Sequence, residues 1–173
     1  MSAGYTPSQT IGPFFHDALL EEDRSVLVSP DDPSAIKIEG VVYDGAGDPV
    51  PDAMVEISQT GPRAPDGGLS DWGRSGTTDG GRFRFVTLKP EADGRGQAPH
   101  LEVSVFARGL LKRAVTRIYF PDEEEANATD PVLSSIEDAA LRGTLVAHLE
   151  GDVYRFDVRL QGEGQTAFFE FGE

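Results

Sequence analysis

The sequence predicts an all-β fold: an antiparallel β-sandwich of about eight to ten short strands, with an extended N-terminal arm and one short helix. Short runs alternate apolar and polar residues, as Leu101, Val103 and Val105 do against Glu102, Ser104 and Phe106, which is the period of a half-buried strand. The 20 Gly and 12 Pro place turn signals between these runs along the whole chain. No long stretch repeats apolar residues at helical spacing. The 173 residues divide into an arm and connector over 1–35 and one sandwich domain over 36–173, enough for a sizeable core.

The arm, Tyr5-Thr6-Pro7-Ser8-Gln9-Thr10-Ile11-Gly12-Pro13-Phe14-Phe15-His16, holds two prolines and a Gly-Pro step, which suit neither a regular helix nor a central strand. Its Ile11, Phe14 and Phe15 need a surface to cover them, either the arm's own domain or a partner chain. Residues 17–35, with Pro30 and Pro33, form a polar connector. A first strand over 36–42 ends in the turn Asp44-Gly45-Ala46-Gly47-Asp48. Two Asp four apart look superficially like a calcium loop, but the later ligands and closing Glu are missing, so this is a plain turn.

A second strand covers 54–58, and a loop over 59–76 holds Trp72, the single Trp. The tight-turn signal Asp79-Gly80-Gly81 precedes a strand over 82–86. A central hairpin follows, 101–106 against 114–120, joined across Arg108-Gly109. Asp130 as N-cap and Pro131 at the first helical position open a short helix over 130–136. A last hairpin, 145–149 with 153–160, turns at Gly151-Asp152 and puts Tyr154, Phe156, Val158 and Leu160 on one face. A final strand is predicted over 166–171.

Composition excludes several functions. Without Cys there is no disulfide, thiol nucleophile or thiolate metal site. The net charge of −15, from 15 Lys and Arg against 30 Asp and Glu, would be repelled by a phosphate backbone, so no nucleic-acid partner is expected. No apolar run spans a bilayer, and residues 1–11 lack the charged and apolar regions of a signal peptide, so the expected location is cytoplasmic, with no membrane partner. An anion site here must rest on locally placed Arg.

Few residues qualify for chemistry. Of three His, His16 belongs to the arm and His148 sits beside Glu150 on a strand, neither with a His at i+2 or i+4. His100 heads the central hairpin with Glu102 on the same face, an arrangement open to a structural pair or to metal ligation. Ser75 and Ser104 have no nucleophile elbow, and no glycine loop ends in Lys-Ser or Lys-Thr. Arg108 at the hairpin tip is the anion-binding candidate, since a guanidinium grips a carboxylate through two donors. These residues alone do not make a complete active site.

The motifs Thr6-Pro7-Ser8-Gln9-Thr10-x-Gly12-Pro13-Phe14, Val41-Val42-Tyr43-Asp44-Gly45-x-Gly47 and Phe83-x-Phe85-x-Thr87-x-Lys89-Pro90 lie in its first half. Ala98-Pro99-His100-Leu101, Phe106-Ala107-Arg108-Gly109, Arg117-Ile118-Tyr119-Phe120 and Tyr154-Arg155-Phe156-Asp157-Val158-Arg159-Leu160-Gln161-Gly162 complete the set. With these the chain resembles the intradiol ring-cleavage dioxygenases over nearly its whole length, in particular the α chains of the protocatechuate 3,4-dioxygenase family. The resemblance implies a prealbumin-like sandwich. In that family two Tyr and two His hold iron(III), the His at i and i+2 on one strand. Here His100 is a vestigial ligand position, Glu102 replaces the second His, and the loops 59–76 and 91–96 carry no Tyr. The resemblance therefore implies no metal in this chain. It implies instead a β chain as partner, carrying Fe(III), and a cleft shared between the two.

By the same resemblance the arm residues Thr10, Gly12, Pro13 and Phe14 and the tip residue Arg108 line that cleft, with Phe14 where many relatives have Tyr. The implied reaction cleaves 3,4-dihydroxybenzoate, a catechol carboxylate, with O2 to 3-carboxy-cis,cis-muconate, a step of aromatic catabolism in the β-ketoadipate pathway. Two other readings remain open at this point. The pattern Gly40-x-Val42, Pro49-Val50-x-x-Ala53-x-Val55 and Thr78-Asp79-x-Gly81-x-Phe83-x-Phe85 also occurs in transthyretin-like accessory modules without catalysis. A self-sufficient enzyme would instead use His100, Glu102 and one Tyr on a different metal.

Overall fold

Alternating burial decides where strands form. A computed structural model describes residues 10, 12, 14–59, 71–78, 80–92 and 94–170. Nine strands lie among the described residues: β1 (Ala35–Tyr43), β2 (Met54–Ser58), β3 (Trp72–Gly76), β4 (Arg82–Leu88), β5 (His100–Phe106), β6 (Ala114–Tyr119), β7 (His148–Glu150), β8 (Val153–Arg155) and β9 (Val158–Arg159). One sheet has the order β4-β1-β8-β7, with β9 also on β1, and the other has the order β3-β2-β5-β6. Their inner faces meet in one apolar cluster that includes Ile38, Val42, Phe85, Leu101, Val103, Ile118 and Phe156. β5 shows the rule plainly: Leu101, Val103 and Val105 are fully buried, while the residues between them are partly exposed.

The sequence predicts an antiparallel sandwich, and the structure corrects this. β1 runs parallel to β8, with Lys37 opposite Val153 and Glu39 opposite Arg155, and parallel to β9, with Val42 opposite Val158. Parallel neighbours need a long crossover. Here that crossover is most of the molecule, since the four-stranded sheet and three helices are built before the chain returns. Between β8 and β9 the chain pauses at Phe156-Asp157, where Phe156 N donates to Glu39 O at 2.9 Å and Asp157 Oδ1 accepts from Val41 N at 3.0 Å. Gly40 makes this close approach possible, because a Cβ there would lie 1.8 Å from the Phe156 carbonyl oxygen.

The single predicted helix is α3 (Pro131–Ser135), and it has company: α1 (Phe14–Leu19), α2 (Glu124–Thr129) and α4 (Ala139–Gly143). Asp130 caps α3 through Val132 N and Leu133 N, and Asp138 caps α4 in the same way. α2 buries no residue, so it offers no apolar period to read. α1 corrects the reading of the arm: its prolines stop before Phe14, and Phe14-Phe15-His16-Asp17-Ala18-Leu19 contains no helix breaker. The predicted hairpin at Gly151-Asp152 is present but short, β7 with β8. The strand predicted over 166–171 is not formed at 166–170, and residue 171 lies outside the described residues. Thr166 N bonds Arg159 O, Ala167 N bonds Thr144 Oγ1 and Phe169 N bonds Val115 O, so this segment changes partner at almost every residue.

The predicted loop over 59–76 gives up its last residues to β3, which pairs with β2. Its period is hidden because Gly73 takes an inward position, where a Cβ would come within 2.5 Å of Leu27 and 2.9 Å of the Arg24 carbonyl. That contact belongs to a clasp. Residues 24–27 bridge the outer edges of both sheets: Arg74 N donates to Arg24 O at 3.0 Å, and Val86 N to Ser25 O at 2.8 Å. The turn at Asp44 is a plain one, its Oδ1 accepting from Ala46 N and Asp48 N. Among the described residues no helix is long and apolar enough to cross a membrane.

Gly40→Ala is expected to destabilise the protein by about 3 kcal/mol, since the added methyl group meets the Phe156 backbone first and the Phe83 ring next. Gly143→Ala, with nothing within 4 Å of its new Cβ, should leave the thermal midpoint unchanged or slightly raised. Thermal denaturation of both variants checks the pair.

Candidate functional site

Because Leu101, Val103 and Val105 face the core, His100, Glu102 and Ser104 project from the outer face of the four-stranded sheet. The β5–β6 register sets Glu102 opposite Arg117 and His100 opposite Tyr119. Directly opposed charges on one face attract, and Arg117 Nη2 lies 2.7 Å from Glu102 Oε1. The other nitrogen of the same guanidinium donates to Gln97 Oε1 at 2.9 Å and to the Tyr119 hydroxyl at 3.2 Å. His100 Nδ1 is 2.7 Å from the Ala98 carbonyl, which can only accept, so this nitrogen carries the proton; Nε2 is 3.6 Å from Glu102 Oε1. The imidazole also stacks on Tyr119, with ring centroids 5.4 Å apart.

Beneath this layer Asp130 is fully buried and fully used. Its carboxylate accepts from Ala98 N at 2.8 Å, from Val132 N and Leu133 N, and from the Tyr119 hydroxyl at 3.3 Å. Burial pushes the Tyr119 phenol up to about 12; nearby Arg117 opposes the shift and Asp130 adds to it. Tyr119 is thus a neutral phenol. Burial also works to raise the Glu102 carboxyl, but neighbouring His100 and the Arg117 charge outweigh it and hold Glu102 below the usual carboxylate range. Arg117 is raised in turn: burial opposes this, while Tyr119 and Glu102 drive it. His100, Glu102 and Arg117 wall a pocket of about 240 Å³ with Ser58, Gln59, Arg95 and Gln97.

These residues do not fit iron(III). The carboxylate beside His100 is already neutralised by a guanidinium, and the adjacent tyrosine holds its proton in a bond to Asp130. Among the described residues no three His, Asp or Glu converge as a ligand set. The same geometry argues against a self-sufficient site built on His100, Glu102 and a Tyr. Tyr154, too, is a protonated phenol, raised by burial and donating to Asp122 Oδ2 at 3.1 Å.

The remaining predicted residues stand apart from this group. Arg108 follows the far end of β5, about 20 Å from His100 at ordinary strand rise. It is 65 % exposed, and its Nε lies 3.2 Å from Asp52 Oδ2. Of the arm residues, Thr10 is exposed and its Oγ1 accepts from Gly12 N at 3.3 Å, with Gly12 at φ +69°. Phe14 begins α1. Pro13 lies outside the described residues. Sequence reasoning missed Arg117 and Tyr119 as partners of His100 and Glu102. The predicted turn at Arg108-Gly109 would set Glu102 opposite Val115; the observed register is centred one residue later, between Gly109 and Leu110, and sets it opposite Arg117.

No family model matches the chain. It is 40 % identical to the protocatechuate 3,4-dioxygenase alpha chain of Pseudomonas putida, over 96 % of each chain. It is equally similar to that of Burkholderia cepacia, over 95 % of this chain and 96 % of the other. The protocatechuate 3,4-dioxygenase beta chain of Burkholderia cepacia is 31 % identical over 76 % of this chain and 66 % of its own length. Among solved structures, the dioxygenase domain of a carbohydrate-binding fusion from Streptomyces sp. SirexAA-E superposes at TM-score 0.57 with 25 % identity, covering 91 % of this chain and 98 % of that one. An intradiol ring-cleavage dioxygenase from Tetranychus urticae shares the fold at TM-score 0.57 and 19 % identity, over 92 % of this chain and 94 % of that one. With a sandwich of this architecture and near-complete coverage of both α chains, the chain belongs to the protocatechuate 3,4-dioxygenase α-chain family of intradiol ring-cleavage dioxygenases.

Proposed function

We propose that this chain is a metal-free α subunit that completes the substrate cleft of an iron(III)-bearing β chain, in an enzyme cleaving 3,4-dihydroxybenzoate with O2 to 3-carboxy-cis,cis-muconate. The observation that carries the reading is the Glu102–Arg117 pair, which fills with a fixed cation the place where a second ligand to a metal would be needed. The ring-opening chemistry belongs to the partner's centre. This chain binds, orients and excludes water. Thr10, Gly12, Pro13 and Phe14 form one wall of the cleft, and closing that wall strengthens every electrostatic contact inside it. Arg108 meets the substrate carboxylate. Its own side chain is 65 % exposed, although that of Asp52 is only 24 % exposed, so solvent weakens the pair from the guanidinium side and leaves it open to a second carboxylate. In a chain of net charge −15 this is how an anionic substrate is tolerated.

Expressed alone, the chain is expected to bind no stoichiometric iron(III), and the same holds for Glu102→His, because one restored ligand leaves the tyrosines missing. Purified with its β chain, it should yield a hetero-oligomer whose iron follows the β chain. A coloured, iron-loaded preparation of the isolated chain sinks the reading. In the assembled enzyme Arg108→Ala should raise KM for 3,4-dihydroxybenzoate about tenfold, near 1.4 kcal/mol, with kcat within about twofold. Steady-state kinetics that leave KM unmoved remove Arg108 from the cleft. Glu102 carries a pH signature of its own. Its depressed folded value gives stability that is present above the ordinary carboxylate range and lost as pH falls through that value. Acid titration of Glu102→Gln should therefore show a shallower loss of stability on the acid side than the parent chain.

A further inference from the structure

The arm leaves the sandwich through α1, and one side chain holds the end of that helix. Arg74, on β3, sends Nε and Nη2 to Glu56 Oε1 at 2.8 and 2.5 Å, while Nη1 donates to the Leu19 carbonyl at 3.2 Å. Leu19 is the last residue of α1, where carbonyls have no partner inside the helix. The Arg74 side chain is only 17 % exposed and that of Glu56 19 %. The guanidinium also lies over Trp72, 4.9 Å from its ring centre. Through its main chain the same residue bonds Arg24, so it ties both ends of the 19–24 segment to β3.

We propose that Arg74 is a positioning residue for the shared cleft: it fixes the base of the arm, and through α1 it sets where Thr10 and Gly12 meet the partner chain. The inference rests on the reading of the arm as a wall of the partner's cleft. Leverage makes it consequential. The helix and the residues before it span at most about 20 Å, so a tilt of about 10° at the base moves the far end by about 3 Å. A shift of that size is enough to take a wall out of contact with bound substrate, which weakens binding and leaves the chemistry at the partner's centre in place. Glu56 takes two of the three guanidinium nitrogens and the third reaches Leu19, and a lysine cannot serve both partners from a single nitrogen.

The test uses the assembled α–β enzyme with three altered α chains: Arg74→Ala, Arg74→Lys and a chain lacking residues 1–13. Arg74→Ala should raise KM for 3,4-dihydroxybenzoate about fivefold to tenfold with kcat within about twofold. Amide hydrogen exchange over residues 14–20 should accelerate at least about tenfold while exchange in β5 stays unchanged. Arg74→Lys keeps the pair with Glu56 and loses the reach to Leu19, so it should show the same rise in KM. Rescue of KM by Arg74→Lys overturns the inference, because the ion pair alone would then suffice. If truncation raises KM and Arg74→Ala does not, the positioning role fails while the reading of the arm stands. A truncated chain with parental KM overturns both.

Discussion

A carboxylate projecting from a strand toward a half-closed pocket has to be answered by a cation, and in this molecule Arg117 answers it. Little else about the site is free once that is fixed. Burial of Val103 and Ile118 locks the β5–β6 register, the register puts Arg117 across from Glu102, and the guanidinium then draws in Gln97 and Tyr119. Tyr119 passes the constraint to Asp130, which caps α3 and holds Ala98 at the entrance to β5. One network joins the head of the central hairpin to the helical layer. Removing one member would leave a buried partner unsatisfied.

Most of the sandwich was legible because its inner faces obey a period of two. The runs at 36–42, 54–58, 82–86 and 101–106 fall inside observed strands, and Asp130-Pro131 marks a real helix start. What escaped notice had no period to show. β3 carries Gly73 where an apolar residue would have announced a strand, because the 24–27 clasp passes too close for any side chain. α2 buries no residue and carries no large apolar side chain. The parallel pairing of β1 with β8 and β9 leaves no local trace at all, since the partners are more than 100 residues apart and only the closed sandwich brings them together.

The site was legible in a different way. His100 and Glu102 stand two apart, which is enough to place them on one face but not to say what they bind. The structure adds the tenant of that face, a guanidinium, and the protonated state of the neighbouring phenol. Arg108 could be named from its place at a hairpin tip. Its pairing with Asp52 could not, because the two meet only when the tip of one connection reaches the turn before β2.

The charge balance explains why such a chain works as half of a site. An excess of fifteen negative charges repels an anionic substrate at long range, yet salt screens that field beyond about 8 Å. Within that distance only the nearest groups count. The described cations are largely committed: Lys37 to Asp152, Lys89 to Asp122 and Glu123, Arg155 to Glu39 and Glu150, Arg74 to Glu56. Arg108 keeps its guanidinium in the open, where water and other carboxylates compete with Asp52 for it. A guanidinium buried in a tight pair, such as Arg117, cannot be lent to a ligand without stranding its carboxylate. An exposed one can. The division between cations that hold the sheet together and those that can be lent is therefore a matter of burial, and it follows from the same alternation of inward and outward positions that built the sandwich.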